Sequence, residues 1–111
     1  MIRESSMPFV KAFPKADLKE NSGKAVVLEG KRIGIFLCDG KYTAIDDLCT
    51  HDEASLADGG VFVQDGKCIV ECPWHGAHFD LNTGVALTLP AVKAVKTYPV
   101  RVEGDTIEVE I

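Results

Sequence analysis

A chain of 111 residues is long enough for one domain built on a modest core. Its 46% hydrophobic and 26% charged residues are ordinary for a globular protein in water, and no apolar run approaches the roughly 20 residues of a membrane span. The net charge of −5 argues against a nucleic-acid partner, because no basic stripe is present to release phosphate counterions.

The opening residues, Met1 to Pro8, lack the apolar core of a secretory signal, so a cytoplasmic location without a membrane partner is expected. An acidic surface can steer a protein towards a basic patch on a partner or simply keep it in solution. Both readings stay open here.

Taken in order, the chain is punctuated like an all-β protein. Ala16 to Glu20 is the only helical stretch and is barely one turn long. Lys24 to Glu29 reads as a strand, followed across Gly30 by Arg32 to Cys38 and across Asp39-Gly40 by Lys41 to Asp46. Ile33, Ile35 and Leu37 alternate with Gly34, Phe36 and Cys38, so both faces are apolar and a central strand is expected. Beyond Asp65-Gly66, Lys67 to Glu71 is a strand that leads into Cys72, and Ala77 to Leu81 is another, ended by Asn82-Thr83-Gly84. Val95 to Glu103 and Thr106 to Ile111 read as a hairpin. Short antiparallel strands with regular turns imply a small sandwich or barrel.

Four cysteines, Cys38, Cys49, Cys68 and Cys72, could form two disulfides in a secreted protein. In a cytosolic chain the same count points to metal ligation. Cys38 reads as a small buried hydrophobe. Cys68, on a strand four residues before Cys72, reads as a packed thiol.

The chemistry concentrates in Cys49-Thr50-His51 and Cys72-Pro73-Trp74-His75. Each arm offers one thiolate and one imidazole, so neither is complete alone. A tetrahedral zinc site accepts two Cys and two His, but the usual finger puts both cysteines on one arm and both histidines on the other. Mixed arms suit a dinuclear centre instead, with Cys49 and Cys72 on one iron and His51 and His75 on the other, the donor set of a Rieske [2Fe–2S] centre. Zinc remains the alternative at this point.

These residues resemble the two cluster-binding loops of Rieske iron–sulfur proteins. Leu56 and Asp58-Gly59 after the first arm, and Gly76 and Phe79-Asp80 after the second, extend the likeness. So do Thr83-Gly84 and Leu89-Pro90-Ala91, where the family places a proline loop over the cluster. The resemblance runs from about Val26 to the C-terminus and is closest to the small ferredoxins of multicomponent aromatic-ring dioxygenases. It departs in one place. Twenty residues, 52 to 71, separate His51 from Cys72, a few more than those ferredoxins lead one to expect, and the excess is expected between Gly60 and Lys67.

The likeness also carries information in what is missing. Respiratory-complex members bridge their two loops with a disulfide, but the matching positions here are Ala54 and Trp74. High-potential members set a serine and a tyrosine hydroxyl against the cluster sulfurs, where this chain has Ala77 and Phe79. Fewer hydrogen bonds to sulfur leave the more negative reduced state less stabilised, so a low potential is expected.

Among the other residues, Trp74 could anchor a partner or be structural. His78 reads as an ordinary half-exposed strand residue. Asp46, Asp47, Asp52 and Glu53 form an acidic collar around the first arm, explained by a solvated loop or by guidance of a basic partner. With two of three histidines assigned to the cluster, no mononuclear iron site of two histidines and a carboxylate can be assembled. No Gly-rich phosphate loop opens a helix.

The resemblance therefore implies a single Rieske domain over residues 1–111, all-β, with a cluster-binding part at about 47–91 made of two loops and a proline loop. It implies one [2Fe–2S] cluster on Cys49, His51, Cys72 and His75. The implied role is not that of an enzyme but of a one-electron carrier from an NAD(P)H-dependent flavin reductase to a terminal ring-hydroxylating oxygenase, a monomer with transient contacts near the cluster tip. The alternatives are a small Rieske subunit of another oxidoreductase, such as nitrite reductase, and a zinc-stabilised interaction domain.

Overall fold

The computed structural model describes residues 9–47, 55–73, 76–88 and 93–111. Ten strands run in the order β1 (Phe9–Pro14), β2 (Ser22–Leu28), β3 (Lys31–Cys38), β4 (Lys41–Asp46), β5 (Gly60–Gln64), β6 (Lys67–Glu71), β7 (His78–Asp80), β8 (Thr97–Tyr98), β9 (Val100–Glu103) and β10 (Thr106–Glu110). Every strand pairing is antiparallel. Three sheets result, β1-β10-β9, β2-β3-β4-β8 and β5-β6-β7. The fold is all-β as expected, built from separate sheets and not from one closed barrel.

Local chemistry sets the hairpins. Glu29-Gly30, Asp39-Gly40 and Asp65-Gly66 all have positive φ at both residues, the requirement of a two-residue turn whose twist matches the strands. The pairings Leu28–Lys31, Cys38–Lys41 and Gln64–Lys67 close directly on those turns. The stretch Gly60 to Lys67, singled out as longer, is thus β5 and a tight turn into β6.

The four-stranded sheet is the wall between two cores, and β3 shows how one sequence serves both. Ile33 and Ile35 pack with Phe13, Ile107, Val109, Ala44 and Tyr98, on the side of the terminal sheet. Phe36 and Cys38 pack with Leu56, Cys68, Val70, Cys72, Ala77 and Phe79, on the other side. Period-two alternation sends neighbouring residues to opposite faces, which is why β3 is apolar throughout and central. Fully burying side chains of this size stabilises by about 1.5–3 kcal/mol each.

Three expectations change. β1 was not anticipated: it ends at a proline and is recognisable only through its pairing with β10, from Phe9–Glu110 to Pro14–Thr106. The expected strand from Val95 to Glu103 is divided, since β8 pairs with β4 while β9 pairs with β10. Pro99, which has no N–H for a ladder, stands at the switch between the two sheets. The helical turn is a 3-10 turn at Lys15–Asp17, and a second such turn, unforeseen, occupies Leu56–Asp58.

Candidate metal centre

The second arm is closed at its base by the backbone. β6 delivers Cys72, whose N–H donates to the Ala77 carbonyl at 2.7 Å, while the Gly76 N–H donates to the Cys72 carbonyl at 3.0 Å. Gly76 has φ +71°, a conformation that glycine adopts without strain and that lets the chain reverse within so few residues. Cys72 is 1% exposed and is a free thiol, the only one among the described residues.

The first arm is closed by a side chain. Asp47 directly follows β4 and is fully buried. Its Oδ2 accepts from Arg32 Nε and from Ser55 Oγ, both at 2.7 Å, and its Oδ1 accepts from the Ala57 N–H at 2.9 Å. The Asp47 carbonyl accepts from the Leu56 N–H at 2.6 Å, and the Asp47 N–H donates to the Arg32 carbonyl at 3.1 Å.

The two bases touch. A Cβ on Gly59 would lie well inside contact distance of the Glu71 carbonyl oxygen, so the exit of the first arm rests on the backbone that enters the second. A third tie joins Gly84 to Val95, whose N–H donates to the Gly84 carbonyl at 2.8 Å. Gly84 has φ +78°, and a Cβ there would strike the Val95 carbonyl.

Of the residues expected to hold metal, Cys72 lies where the sequence placed it. Cys49, His51 and His75 lie outside the described residues, as do Trp74, Asp52, Glu53, Ala54 and Leu89-Pro90-Ala91. Among the described residues no group of three or more potential ligands is assembled. The donor chemistry fits an iron–sulfur centre. Cys72 is a soft sulfur donor in an apolar surround, at the foot of an arm that abuts the other. Ala77 and Phe79 are both fully buried, so their positions offer no hydroxyl to a cluster sulfur.

Two expectations are corrected. Cys38 and Cys68 are buried, as foreseen, but they are joined in a disulfide across a Cα–Cα distance of 6.0 Å. They are 30 residues apart on strands of different sheets, and their pairing becomes visible only when the outer sheet is laid on the central one. Of the acids read as a collar around the first arm, the two among the described residues are not simply solvated. Asp47 is interior, and Asp46 Oδ1 accepts the Tyr98 hydroxyl at 2.6 Å. No feature of the sequence marks Arg32 as the partner of Asp47 fifteen residues later; only its position at the start of a strand adjoining β4 does so.

His78 is the half-buried strand residue expected. Its ring meets Phe62 edge-on with centroids 5.2 Å apart, Nε2 lies 3.8 Å from Glu71 Oε1, and its N–H donates to Thr88 Oγ1 at 2.8 Å.

Known proteins share this sequence and architecture. The chain is 42% identical over 101 residues to the 3-phenylpropionate/cinnamic acid dioxygenase ferredoxin subunit of Shigella flexneri, covering 90% of this chain and 91% of the relative. It is 36% identical over 95 residues to the ferredoxin component of the naphthalene 1,2-dioxygenase system of Pseudomonas aeruginosa, covering 86% and 88%. A chain from the complex of reduced oxygenase and oxidized ferredoxin in carbazole 1,9a-dioxygenase superposes with TM-score 0.80 at 26% identity, covering 92% of each chain. A structure ascribed to the small subunit of an NADH-dependent nitrite reductase from Mycobacterium tuberculosis superposes with TM-score 0.87 at 27% identity, covering 96% and 97%. Residues 8–99 match the Rieske [2Fe-2S] domain, and with these relatives beside that match, the chain belongs to the Rieske [2Fe–2S] family and has a Rieske-type cluster as its cofactor.

Proposed function

We propose that the chain is the ferredoxin of a multicomponent aromatic-ring dioxygenase, a monomeric one-electron carrier. In this reading Cys49 and Cys72 hold one iron and His51 and His75 the other. The observation that supports it most directly is Cys72, a buried free thiol at the foot of a backbone-closed arm that rests against the other arm. The names of relatives at 34–42% identity point the same way.

When bound, the cluster supplies a one-electron couple. The chain does the rest: it encloses Cys72, holds the arm bases together, and withholds hydroxyls at Ala77 and Phe79. That last feature sets the potential at the low end of the roughly −150 to +300 mV Rieske range. Electrons enter from an NAD(P)H-dependent flavin reductase and leave for a terminal oxygenase, both met in the cytoplasm and near the arms.

The test is spectroscopic. Reduced holoprotein is expected to give a Rieske-type EPR signal, with average g below that of the free electron, and a potential near the low end of the range. Cys72→Ser and His75→Ser should each abolish the signal. A colourless protein that binds zinc in its place, or a Cys72→Ser variant with an intact cluster, overturns the ligand assignment. The nitrite reductase reading draws on the superposition noted above. It predicts stable co-purification with a large catalytic subunit, whereas a ferredoxin purifies alone and reduces an oxygenase in transient encounters.

A further inference from the structure

We propose that Asp47 is the positioning residue of the first ligand arm, acting with Arg32 and Ser55 to clamp the segment that carries Cys49 and His51. This rests on the ligand assignment proposed above. Residues 48–54 are flanked by Asp47 on one side and Ser55 on the other. The Asp47 side chain takes hydrogen bonds from Ser55 Oγ and the Ala57 N–H, and its carbonyl takes one from the Leu56 N–H. One residue therefore holds both ends of a seven-residue segment. Arg32 Nε, on the central strand β3, fixes the carboxylate itself.

The fold makes room for this clamp. Gly34 lies beneath it on β3, and a Cβ there would come within 3.1 Å of Asp47 Oδ1. Leu56 and Ala57 then run into the core that also contains Cys72, and Gly59 abuts Glu71. A continuous path of contacts leads from Asp47 to the foot of the second arm.

General stability does not account for such a residue. A fully buried carboxylate is costly to desolvate, and its charged partner Arg32 is half-exposed, so the pair is a weak source of stability. What the carboxylate does supply is direction, since three donors converge on it from two chain segments. Residues that orient metal ligands from behind affect metal retention about 10–100-fold when altered.

The experiment compares holoproteins: wild type, Asp47→Asn, Ser55→Ala, Cys49→Ser, and Ile107→Val. Ile107 lies in the far core, and its variant controls for lost stability alone. Cluster loss is followed by decay of visible absorbance in the presence of a chelator, and global unfolding by circular dichroism. Asp47→Asn keeps the side-chain size but sets an amide N–H against one of the three donors. It should lose its cluster about tenfold faster or more, and broaden the reduced EPR signal. Ser55→Ala, which folds more readily, should show a smaller change of the same sign. Ile107→Val should keep wild-type cluster loss at equal distance from its melting point. If Asp47→Asn and Ile107→Val lose cluster equally at matched stability, while Cys49→Ser has none, the positioning role is overturned and the ligand assignment survives. If Cys49→Ser keeps its cluster, the assignment falls and the proposal falls with it.

Discussion

Tyr98 ends the two-residue strand β8 with its hydroxyl on Asp46 Oδ1 at 2.6 Å. Burial pushes its phenol well above the ordinary value, and the hydrogen bond and negative charge of Asp46 push it further. The folded protein therefore keeps a proton that the unfolded chain releases above about pH 10. The resulting stability is present in full below that pH and is lost as pH rises through the raised value. The unfolding free energy from urea titrations between about pH 8 and about pH 11 should fall by up to about 1.4 kcal/mol per pH unit above pH 10. Tyr98→Phe should flatten that fall and cost about 1.5 kcal/mol at neutral pH, because Asp46 loses a donor. An unchanged slope would place the phenol in an ordinary environment.

At the scale of elements, the segments beside Asp47 and Cys72 meet through a close backbone approach at Gly59 and Glu71. Gly59 has φ −84°, which any residue adopts, so its role is space and not conformational freedom. Gly59→Ala must part the first-arm exit from the Glu71 carbonyl. It should destabilise the holoprotein by several kcal/mol, in the range of severe overpacking, and lower the iron content of purified protein. Gly60→Ala, where nothing lies within 4 Å, should do neither. The Asp-Gly and Glu-Gly turns and the alternation of β3 were legible in the sequence, because they are local and follow a fixed period. The spacing of Cys49, His51, Cys72 and His75 stands out in the sequence because metal donors are chemically rare, and of the four Cys72 lies among the described residues. Gly59, the Arg32–Asp47 pair and the division at Pro99 were not, since each takes its meaning from a strand of another sheet or from residues distant in the chain. Asp46 and Asp47 misled for the same reason: a carboxylate looks solvated until its donors are known.

For the molecule as a whole, the Cys38–Cys68 disulfide matters because it joins β3 of the central sheet to β6 of the β5-β6-β7 sheet. These sulfurs sit in a core with Cys38 fully buried and Cys68 6% exposed, where a thiolate from solution lacks the access that exchange needs. Closing a loop of this length removes unfolded-state entropy worth about 3–4 kcal/mol. The double change Cys38→Ala, Cys68→Ala should cost about that much in urea unfolding, and intact protein denatured without reductant should show two fewer reactive thiols than reduced protein. Equal thiol counts would mean that the pair is unbridged.

The pairing of β1 with β10 has a practical consequence. Phe9 lies opposite Glu110, so both ends of the described chain emerge beside one another on the terminal sheet. The central sheet separates that layer from Cys72. A carrier domain fused at either end, or an electrode linker attached there, would tether the protein by the side remote from Cys72. The side on which Cys72 lies would stay open to whatever the protein exchanges electrons with.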